Sequence, residues 1–149
     1  MKLKIVNKST NALPEYKTPD SSGMDLRAYL PEGSITLAPM ERKIIPTGLY
    51  MEIKQGYEGQ VRPRSGCAVK QGLTVINAPG TIDADYRGEV GVPLINLSTE
   101  PQTIENGDRV AQIVFAPYAK VEEIIEVSDV SEMTDTERGA GGFGHSGKK

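Results

Sequence analysis

Residues able to activate water crowd one short segment, 80–89, between two stretches expected to form β-strands. Asp83, Tyr86 and Arg87 lie there among further acids. A carboxylate such as Asp83 can take a proton from water when it lies within hydrogen-bond reach. The same composition is typical of a solvated hairpin whose acids pair with Arg87, and the spacing alone favours that second interpretation.

An arginine, a hydroxyl and a glycine form a second candidate site. Arg64, Ser65 and Gly66 lead into a short helix predicted over 65–71. Free N–H groups at a helix N-terminus favour anions, and a guanidinium adds charge-assisted hydrogen bonds, so the segment can bind phosphate. The alternative is an ordinary Ser65 cap beside surface arginines, and this segment by itself favours the cap.

Residues 138–147 read Arg-Gly-Ala-Gly-Gly-Phe-Gly-His-Ser-Gly and contain five glycines. The segment matches the glycine patterns of both dinucleotide-binding loops and Walker A loops. Those loops need a strand before them and a helix after them, and neither is expected here. Glycine N–H groups can still enclose phosphate oxygens, Arg138 can add a bidentate contact, and Phe143 offers a ring to a base. A flexible linker or tag remnant is the alternative, and Phe143 argues against it.

Two isolated polar side chains stand among apolar neighbours. Asp25 lies within 22–28 and is interpreted either as an acid behind a metal site or as a turn carboxylate. Gln112 alternates with apolar residues in a predicted strand that follows the hairpin-turn signal Asn106-Gly107. Gln112 can therefore face a site rather than solvent.

Composition excludes several classes of function. The 149 residues carry 17 basic and 20 acidic side chains, a net charge of −3 that argues against a non-specific nucleic-acid binder. Cys67 and His145 are the only residues of their types, which excludes an intrachain disulfide and a Cys/His-rich zinc site; Cys67 is expected to be a packing residue. No apolar run approaches the ~20 residues of a membrane span, and the N-terminus lacks a signal-peptide pattern. We therefore expect a cytoplasmic protein with no membrane or nucleic-acid partner.

Short β-type runs bounded by Gly, Pro, Asn or Asp must position these residues, and they indicate an all-β sandwich or barrel with one short helix. After about residue 128 the chain becomes polar and then glycine-rich. We therefore expect a β-barrel domain over 1–128 and a mobile arm over 129–149, because glycine loses much backbone entropy on ordering. Strands are expected over 2–7, 34–37, 43–53, 57–61, 73–76, 89–97, 102–104, 109–115 and 120–127.

In this order and spacing the candidate segments resemble the trimeric dUTP diphosphatase (dUTPase) family. Its five ordered motifs match 22–28, 63–70, 80–96, 106–115 and 138–147, so the resemblance spans nearly the whole chain. The resemblance implies a jelly-roll-like β barrel and a homotrimer with active sites at subunit interfaces. It also implies Mg²⁺-assisted hydrolysis of dUTP to dUMP and diphosphate, which lowers dUTP and supplies dUMP for thymidylate synthesis.

The same resemblance assigns a role to each matching residue. Asp83 matches the carboxylate that orients and deprotonates the water attacking the α-phosphorus, and Tyr86 matches the ring under the deoxyribose. Asp25 matches the acid that holds a magnesium-bound water, and Gln112 matches a phosphate contact. The uracil reader is matched by Asn77, Gly80, Thr81 and Ile82, and the phosphate grip by Arg64, Ser65 and Gly66.

The glycine-rich arm matches the fifth motif with one departure. Arg138 matches the arginine that contacts the γ-phosphate, and Phe143 matches the ring that closes over uracil. His145 stands where the family usually has a hydroxyl that donates to the γ-phosphate. A ring nitrogen of His145 can donate instead, or the side chain can point away, and we hypothesise that His145 tightens substrate binding as pH falls. The groups that enclose the γ-phosphate are matched by Gly142, Gly144 and Ser146.

Other functions stay open at this point. A dCTP deaminase of related fold needs a different catalytic set around the base, and residues 82–88 match the diphosphatase better. A non-catalytic, nucleotide-sensing regulatory trimer is argued against by Asp83 together with the complete fifth motif. A purely structural β-domain leaves the five coincident motifs unexplained.

Overall fold

Runs of β-branched and aromatic residues between turn-forming residues give a structure made almost wholly of strands. The computed structural model describes residues 1–142. Within them lie eleven strands, one α-helix and one 3₁₀ turn. They are β1 Lys4–Asn7, β2 Gly23–Arg27, β3 Ile35–Leu37, β4 Arg42–Ile45, β5 Leu49–Glu52, β6 Tyr57–Arg62, α1 Ser65–Gln71, β7 Leu73–Val75, β8 Gly80–Ile82, β9 Val92–Asn96, β10 Gln102–Ile104, β11 Arg109–Pro117 and the 3₁₀ turn Val130–Glu132.

The strands pair in antiparallel fashion and form four sheets. β1 pairs with β5, and β3 pairs with β10. The larger sheets have the strand orders β4-β9-β7 and β2-β11-β6-β8. The predicted all-β class with one short helix is confirmed. The jelly-roll-like description fits the short antiparallel strands, although the hydrogen-bonded sheets of residues 1–142 do not close into one continuous barrel.

Alternation along β2 and β11 separates the core from the candidate site. Met24 and Leu26 of β2 are buried, as is Ile113 of β11. Successive side chains of a strand face opposite sides of its sheet. Asp25, between the first two, and Gln112, next to the third, therefore lie on the face away from the core.

Three expectations about the strands are corrected by the structure. Residues 120–127 contain no strand, and Ile124 and Ile125 are exposed. Their content of Val and Ile favours a strand only where a partner edge is present. β10 and β11 flank the Asn106-Gly107 turn but belong to different sheets, so the turn is not a hairpin. β2 and β8 are additional strands, which their short, glycine-led sequences did not indicate.

Helix α1 has the predicted bounds but a different N-cap residue. Arg64, not Ser65, is the N-cap residue, and no side chain caps the first turn. At the other end Gly72 adopts the left-handed conformation, with φ of 66°, and its N–H bonds the Ala68 carbonyl at 3.2 Å. Because no side chain caps the first turn, its N–H groups are left for another acceptor.

The chain divides into two compact units, Met1–Ala119 and a second that begins at Lys120. All eleven strands and α1 lie in the first unit. In the second, the Asp129 carboxylate caps the 3₁₀ turn by accepting from Ser131 N at 2.9 Å. The expected boundary between 128 and 129 stays a prediction. Within residues 1–142, no helix has the length and apolar character to cross a membrane.

Candidate active site

The register of the four-stranded sheet aligns several predicted site residues. Gln112 on β11 lies opposite both Asp25 on β2 and Arg62 on β6. Residues directly opposite each other in antiparallel strands share a face. Since β6 continues through Pro63 to Arg64 and α1, the first, second and fourth motifs meet at this end of the sheet.

Asp25 binds two arginines there, and the three form the Asp25–Arg64–Arg109 cluster. Asp25 Oδ1 accepts from Arg64 Nε at 2.7 Å, and Oδ2 accepts from Arg109 Nη1 at 3.2 Å. Partial burial alone lowers the pKa of the Arg64 guanidinium, but the hydrogen bond and charge of Asp25 outweigh it, and the pKa is raised overall. Arg64 is therefore a fixed, permanently charged group.

Arg109 is a member of this cluster that the sequence did not reveal, because its partner Asp25 is 84 residues away. The β11–β2 register shifts between Arg109 and Ala111, which marks a β-bulge. The Arg109 carbonyl accepts from Arg64 Nη1 and from Cys67 Sγ, both at 3.3 Å. Cys67 is buried, as expected, and its contact fixes α1 against β11.

Gln112 supports the segment that carries Arg64. Its Nε2 donates to the Pro63 carbonyl at 3.0 Å. A Cβ at Gly23 would lie 2.5 Å from Gln112 Oε1, so only glycine leaves the space that this side chain occupies. Gln112 therefore orders the turn between β6 and α1, and Gly23 is a supporting residue that sequence reasoning missed.

The start of α1 is open to solvent. Ser65 and Gly66 are both exposed. A Cβ at Gly66 would meet no atom within 4 Å, so the space beside this residue is unfilled by residues 1–142. Uncapped N–H groups beside the Arg64 guanidinium make this position suitable for an anion.

The predicted base-reading residues lie on and just before β8. A Cβ at Gly80 would approach Asn77 Nδ2 to 3.1 Å, so the Asn77 amide lies close against the β8 backbone. Gly80 is buried and pairs with Val61 of β6. Thr81 is exposed, and Ile82 packs against the core. The structure thus brings Asn77 next to the strand that contains the other three.

Residues 83–89 form a loop, called here the 83–89 loop, with its own hydrogen bonds. Tyr86 N donates to the Asp83 carbonyl at 3.2 Å, and Tyr86 Oη donates to the Glu89 carbonyl at 3.1 Å. Arg87 Nη1 donates to the carbonyls of Ala84 and Tyr86 at 2.8 and 2.9 Å. The alternative pairing of the acids with Arg87 is therefore wrong, and no ion pair within residues 1–142 includes Asp83.

Glu89 anchors this loop to the turn between β4 and β5. Its Oε1 accepts from Thr47 N at 3.0 Å and from Gly48 N at 2.7 Å, and Glu89 forms an isolated bridge with Tyr50 of β5. The loop follows β8, which pairs with β6, whereas Glu89 at its other end bridges β5. The two ends of the loop therefore join different sheets, and the loop is not the expected hairpin. The Asp83 side chain is left exposed.

Asp83 and the Asp25–Arg64–Arg109 cluster are well separated within one chain. Continuing the β6–β8 register places Asp83 opposite Glu58, four residues from Arg62, or about 13 Å along the strand. β2 and β8 are three strand spacings apart, or about 14 Å. One copy of the chain therefore does not bring this carboxylate and the cluster to one point.

Of the site residues predicted in the arm, Arg138 and Gly142 are among the described residues and the others are not. Arg138 Nε donates to the Gly141 carbonyl at 2.8 Å within the second unit. Gly142 is exposed. The predicted roles of Phe143, Gly144, His145 and Ser146 lie outside the described residues.

The acidic side chains of residues 1–142 do not form a complete set of metal ligands. Within residues 1–142 no three His, Cys, Asp or Glu side chains are grouped to hold an ion. Mg²⁺ usually keeps several waters and is bound by one or two carboxylates plus substrate phosphates. Asp25 fits that role, because a carboxylate oxygen that accepts one guanidinium hydrogen has a further lone pair for water.

A family model and the sequences of known proteins match this chain over most of its length. The family model described as dUTPase matches residues 9–147. The deoxyuridine 5'-triphosphate nucleotidohydrolase of Finegoldia magna is 55% identical over 147 residues, 99% of each chain. That of Cytophaga hutchinsonii is 56% identical over 98% of this chain and 92% of its own.

Solved structures of dUTPases have folds similar to that of this chain. A mutant dUTPase of Staphylococcus bacteriophage 80alpha with dUpNHpp has a TM-score of 0.86 to this chain, with 26% identity and 98% of both chains covered. A mutant dUTPase from phage phi11 of S. aureus, described for its coordination of a structural Mg(II) ion, has a TM-score of 0.77. It is 24% identical and covers 87% of this chain and 98% of its own, so it shows the likeness of fold alone.

Proposed function

The chain belongs to the dUTPase family, and from that premise we propose that it hydrolyses dUTP to dUMP and diphosphate by attack of water on the α-phosphorus, with Asp83 as general base. Its curated relatives are named as nucleotidohydrolases of deoxyuridine 5'-triphosphate and match it over their full length or nearly so. The activity is therefore that of a hydrolase of nucleotide metabolism that acts on dUTP. It lowers dUTP and supplies dUMP for thymidylate synthesis.

One observation carries the assignment of the base: the Asp83 carboxylate is exposed and free of ion pairs among the described residues, on a loop fixed by its own hydrogen bonds. A general base must reach water while its backbone stays in place. Asp83 then accepts the proton of the attacking water. Phosphoryl transfer needs little more than such positioning and charge stabilisation.

The Asp25–Arg64–Arg109 cluster and the start of α1 bind the phosphates. Arg64 Nε and Nη1 are engaged with Asp25 and the Arg109 carbonyl, and its remaining donors can bind phosphate oxygens. Ser65 and Gly66 add a hydroxyl and first-turn N–H groups. Gln112, which already orders the Pro63 carbonyl, contributes a further phosphate contact.

Mg²⁺ is the cofactor that this site suits. Asp25 would hold it through a water, and when bound the ion neutralises part of the triphosphate charge. The support is the lone-pair capacity that Asp25 keeps beside its two guanidinium contacts. The arginines of the cluster, Arg64 and Arg109, and from the fifth motif Arg138, remain positive without the ion.

Base and sugar are recognised by the segment from Asn77 to Tyr86. The Asn77 amide, which lies close to the Gly80 backbone, and the backbone of Gly80, Thr81 and Ile82 hydrogen-bond the edge of uracil. The Tyr86 ring lies under the deoxyribose, where it leaves no room for a ribose 2′-OH. Phe143 stacks on the base, while Gly142, Gly144, His145 and Ser146 enclose the γ-phosphate.

The complete site is formed between copies in a homotrimer. Asp83 and Arg64 lie too far apart within one chain to act on one phosphate group, as the register of the four-stranded sheet indicates. Asp83 of one copy facing Arg64 of another removes that difficulty. Cytoplasmic localisation and the lack of a nucleic-acid partner stay predictions from the sequence.

The test is to incubate the protein with each dNTP and with UTP, with Mg²⁺ or with EDTA, and to measure diphosphate and ammonia. Diphosphate from dUTP alone, reduced by EDTA, is the expected result. Ammonia from dCTP would indicate the deaminase instead. Binding of dUTP without turnover would indicate a nucleotide sensor.

A further inference from the structure

We propose that Gly88 and Glu89 position the Tyr86 ring and thereby set the discrimination between deoxyribose and ribose. The inference rests on the proposed function, in which that ring lies under the sugar. It assigns no chemistry to Gly88 or Glu89. Both act through Tyr86 and are positioning residues.

Gly88 forms the surface against which the end of the Tyr86 side chain lies. A Cβ at Gly88 would be 2.3 Å from Tyr86 Oη, 2.5 Å from Cζ and 2.9 Å from Cε2. The φ of Gly88 lies outside the left-handed region, so its backbone does not itself require glycine. The absence of a side chain at position 88 is therefore needed for the position of the ring.

Glu89 fixes the other contact of the ring. Its carbonyl accepts from Tyr86 Oη at 3.1 Å, while its own carboxylate Oε1 accepts from Thr47 N and Gly48 N at 3.0 and 2.7 Å. The next residue, Val90, is buried and donates from its N to the Leu49 carbonyl at 2.8 Å. The acceptor for Tyr86 Oη is thus held by the body of the fold on both sides.

These contacts matter because the ring lies partly at the surface. Tyr86 is 44% exposed, so Gly88 and the Glu89 carbonyl restrain a side chain that lies at the surface. An alanine at position 88 forces Oη outward by at least 0.7 Å, from 2.3 Å to the 3.0 Å below which Cβ contacts essentially never occur. A displaced ring loses its fit to deoxyribose, whereas UTP never made that contact, so the loss falls mainly on dUTP.

The experiment compares kcat/KM for dUTP and UTP in Gly88→Ala, Glu89→Ala and Glu89→Gln. We expect the dUTP/UTP ratio to fall about tenfold or more in Gly88→Ala and Glu89→Ala, within the range that loss of one close apolar contact produces. Glu89→Gln keeps an Oε1 acceptor for both amides and should keep the ratio near that of the unmodified protein. The thermal midpoint of each variant is recorded beside the ratio.

Gly91→Ala is the matched control. Its Cβ would lie 2.6 Å from Ile44 Cγ2, a similar overlap three residues further along, with no Tyr86 atom within 4 Å, and its φ is also outside the left-handed region. The ratio should not change in this variant even if stability falls. An unchanged ratio in a folded Gly88→Ala protein, or an equal fall in Gly91→Ala, would overturn the inference.

Tyr86→Ala separates this inference from the function on which it rests. If Tyr86→Ala leaves the dUTP/UTP ratio unchanged, the proposed role of the ring is wrong. If Tyr86→Ala lowers the ratio and Gly88→Ala does not, the role of the ring stands and only its positioning by Gly88 and Glu89 is wrong.

Discussion

Replacement of Asp25 by asparagine tests whether the charge of one carboxylate both stabilises the fold and orients Arg64. Asp25 and Arg64 are 19% and 24% exposed and meet at 2.7 Å, whereas Arg109 is 44% exposed and lies 3.2 Å away. A hydrogen bond to a charged group contributes about 1.5–3 kcal/mol, and an exposed ion pair about 0.2–1 kcal/mol after screening. Asparagine keeps a neutral acceptor for Arg64 but turns N–H groups towards Arg109. We therefore expect Asp25→Asn to lower the free energy of unfolding by about 1–3 kcal/mol.

Urea unfolding of the intact protein measures this loss, at one fixed protein concentration because oligomer stability depends on concentration. Asp20→Asn is the matched control: Asp20 is exposed in the same unit, and its substitution should change stability by no more than about 0.5 kcal/mol. Arg64→Gln and Arg109→Gln, each combined with Asp25→Asn, complete two double-mutant cycles. The coupling energy should be larger for Arg64, which has the shorter and more buried contact with Asp25.

The same variant has a kinetic consequence. The weaker, uncharged contact with position 25 holds the Arg64 side chain less firmly, so KM for dUTP should rise. Equal urea midpoints and equal KM values for Asp25→Asn and Asp20→Asn would refute the reasoning, because the cluster would then contribute neither stability nor orientation.

Three further predictions concern the proposed mechanism. Asp83→Asn should bind dUTP but lose about 10²–10⁴-fold in kcat, the usual contribution of a general base; turnover at the unmodified rate would remove Asp83 from that role. Phe143→Ala should weaken dUTP binding by about 1–3 kcal/mol, the value of one base–aromatic stack, measured by calorimetry with a non-hydrolysable analogue; unchanged affinity would show that the ring does not meet the base. Removal of residues after Glu137 should leave a folded oligomer by circular dichroism and sedimentation, with poor hydrolysis of dUTP; an unfolded product would make this segment structural instead.

Local patterns in the sequence were enough for much of the fold. Helix α1 begins and ends where its pattern predicted, and the strands over 57–61 and 109–115 were found with bounds that differ by one or two residues. Such elements are set by short-range propensity and turn residues. The strand expected over 120–127 shows the limit of that reasoning, because propensity supplies no partner edge.

In the candidate site too, local motifs predicted individual residues but not the contacts between them. Asp25, Arg64 and Gln112 were identified by their motifs, yet neither their mutual contacts nor the part played by Arg109 could be read from spacing. The register of β2, β11 and β6 creates those contacts between residues up to 84 positions apart.

The sequence by itself determined the β class, the short helix and the order of the five motifs, because residue type and local spacing carry that information. Only the tertiary structure decided that Arg109 binds Asp25, that Glu89 reaches the amides of Thr47 and Gly48, and that Gly88 lies against the end of the Tyr86 side chain. These contacts depend on strand register and on the path of a loop between two sheets. A shift of one residue in register turns every side chain of a strand to the other face, and no local pattern in this chain specifies which strands will pair.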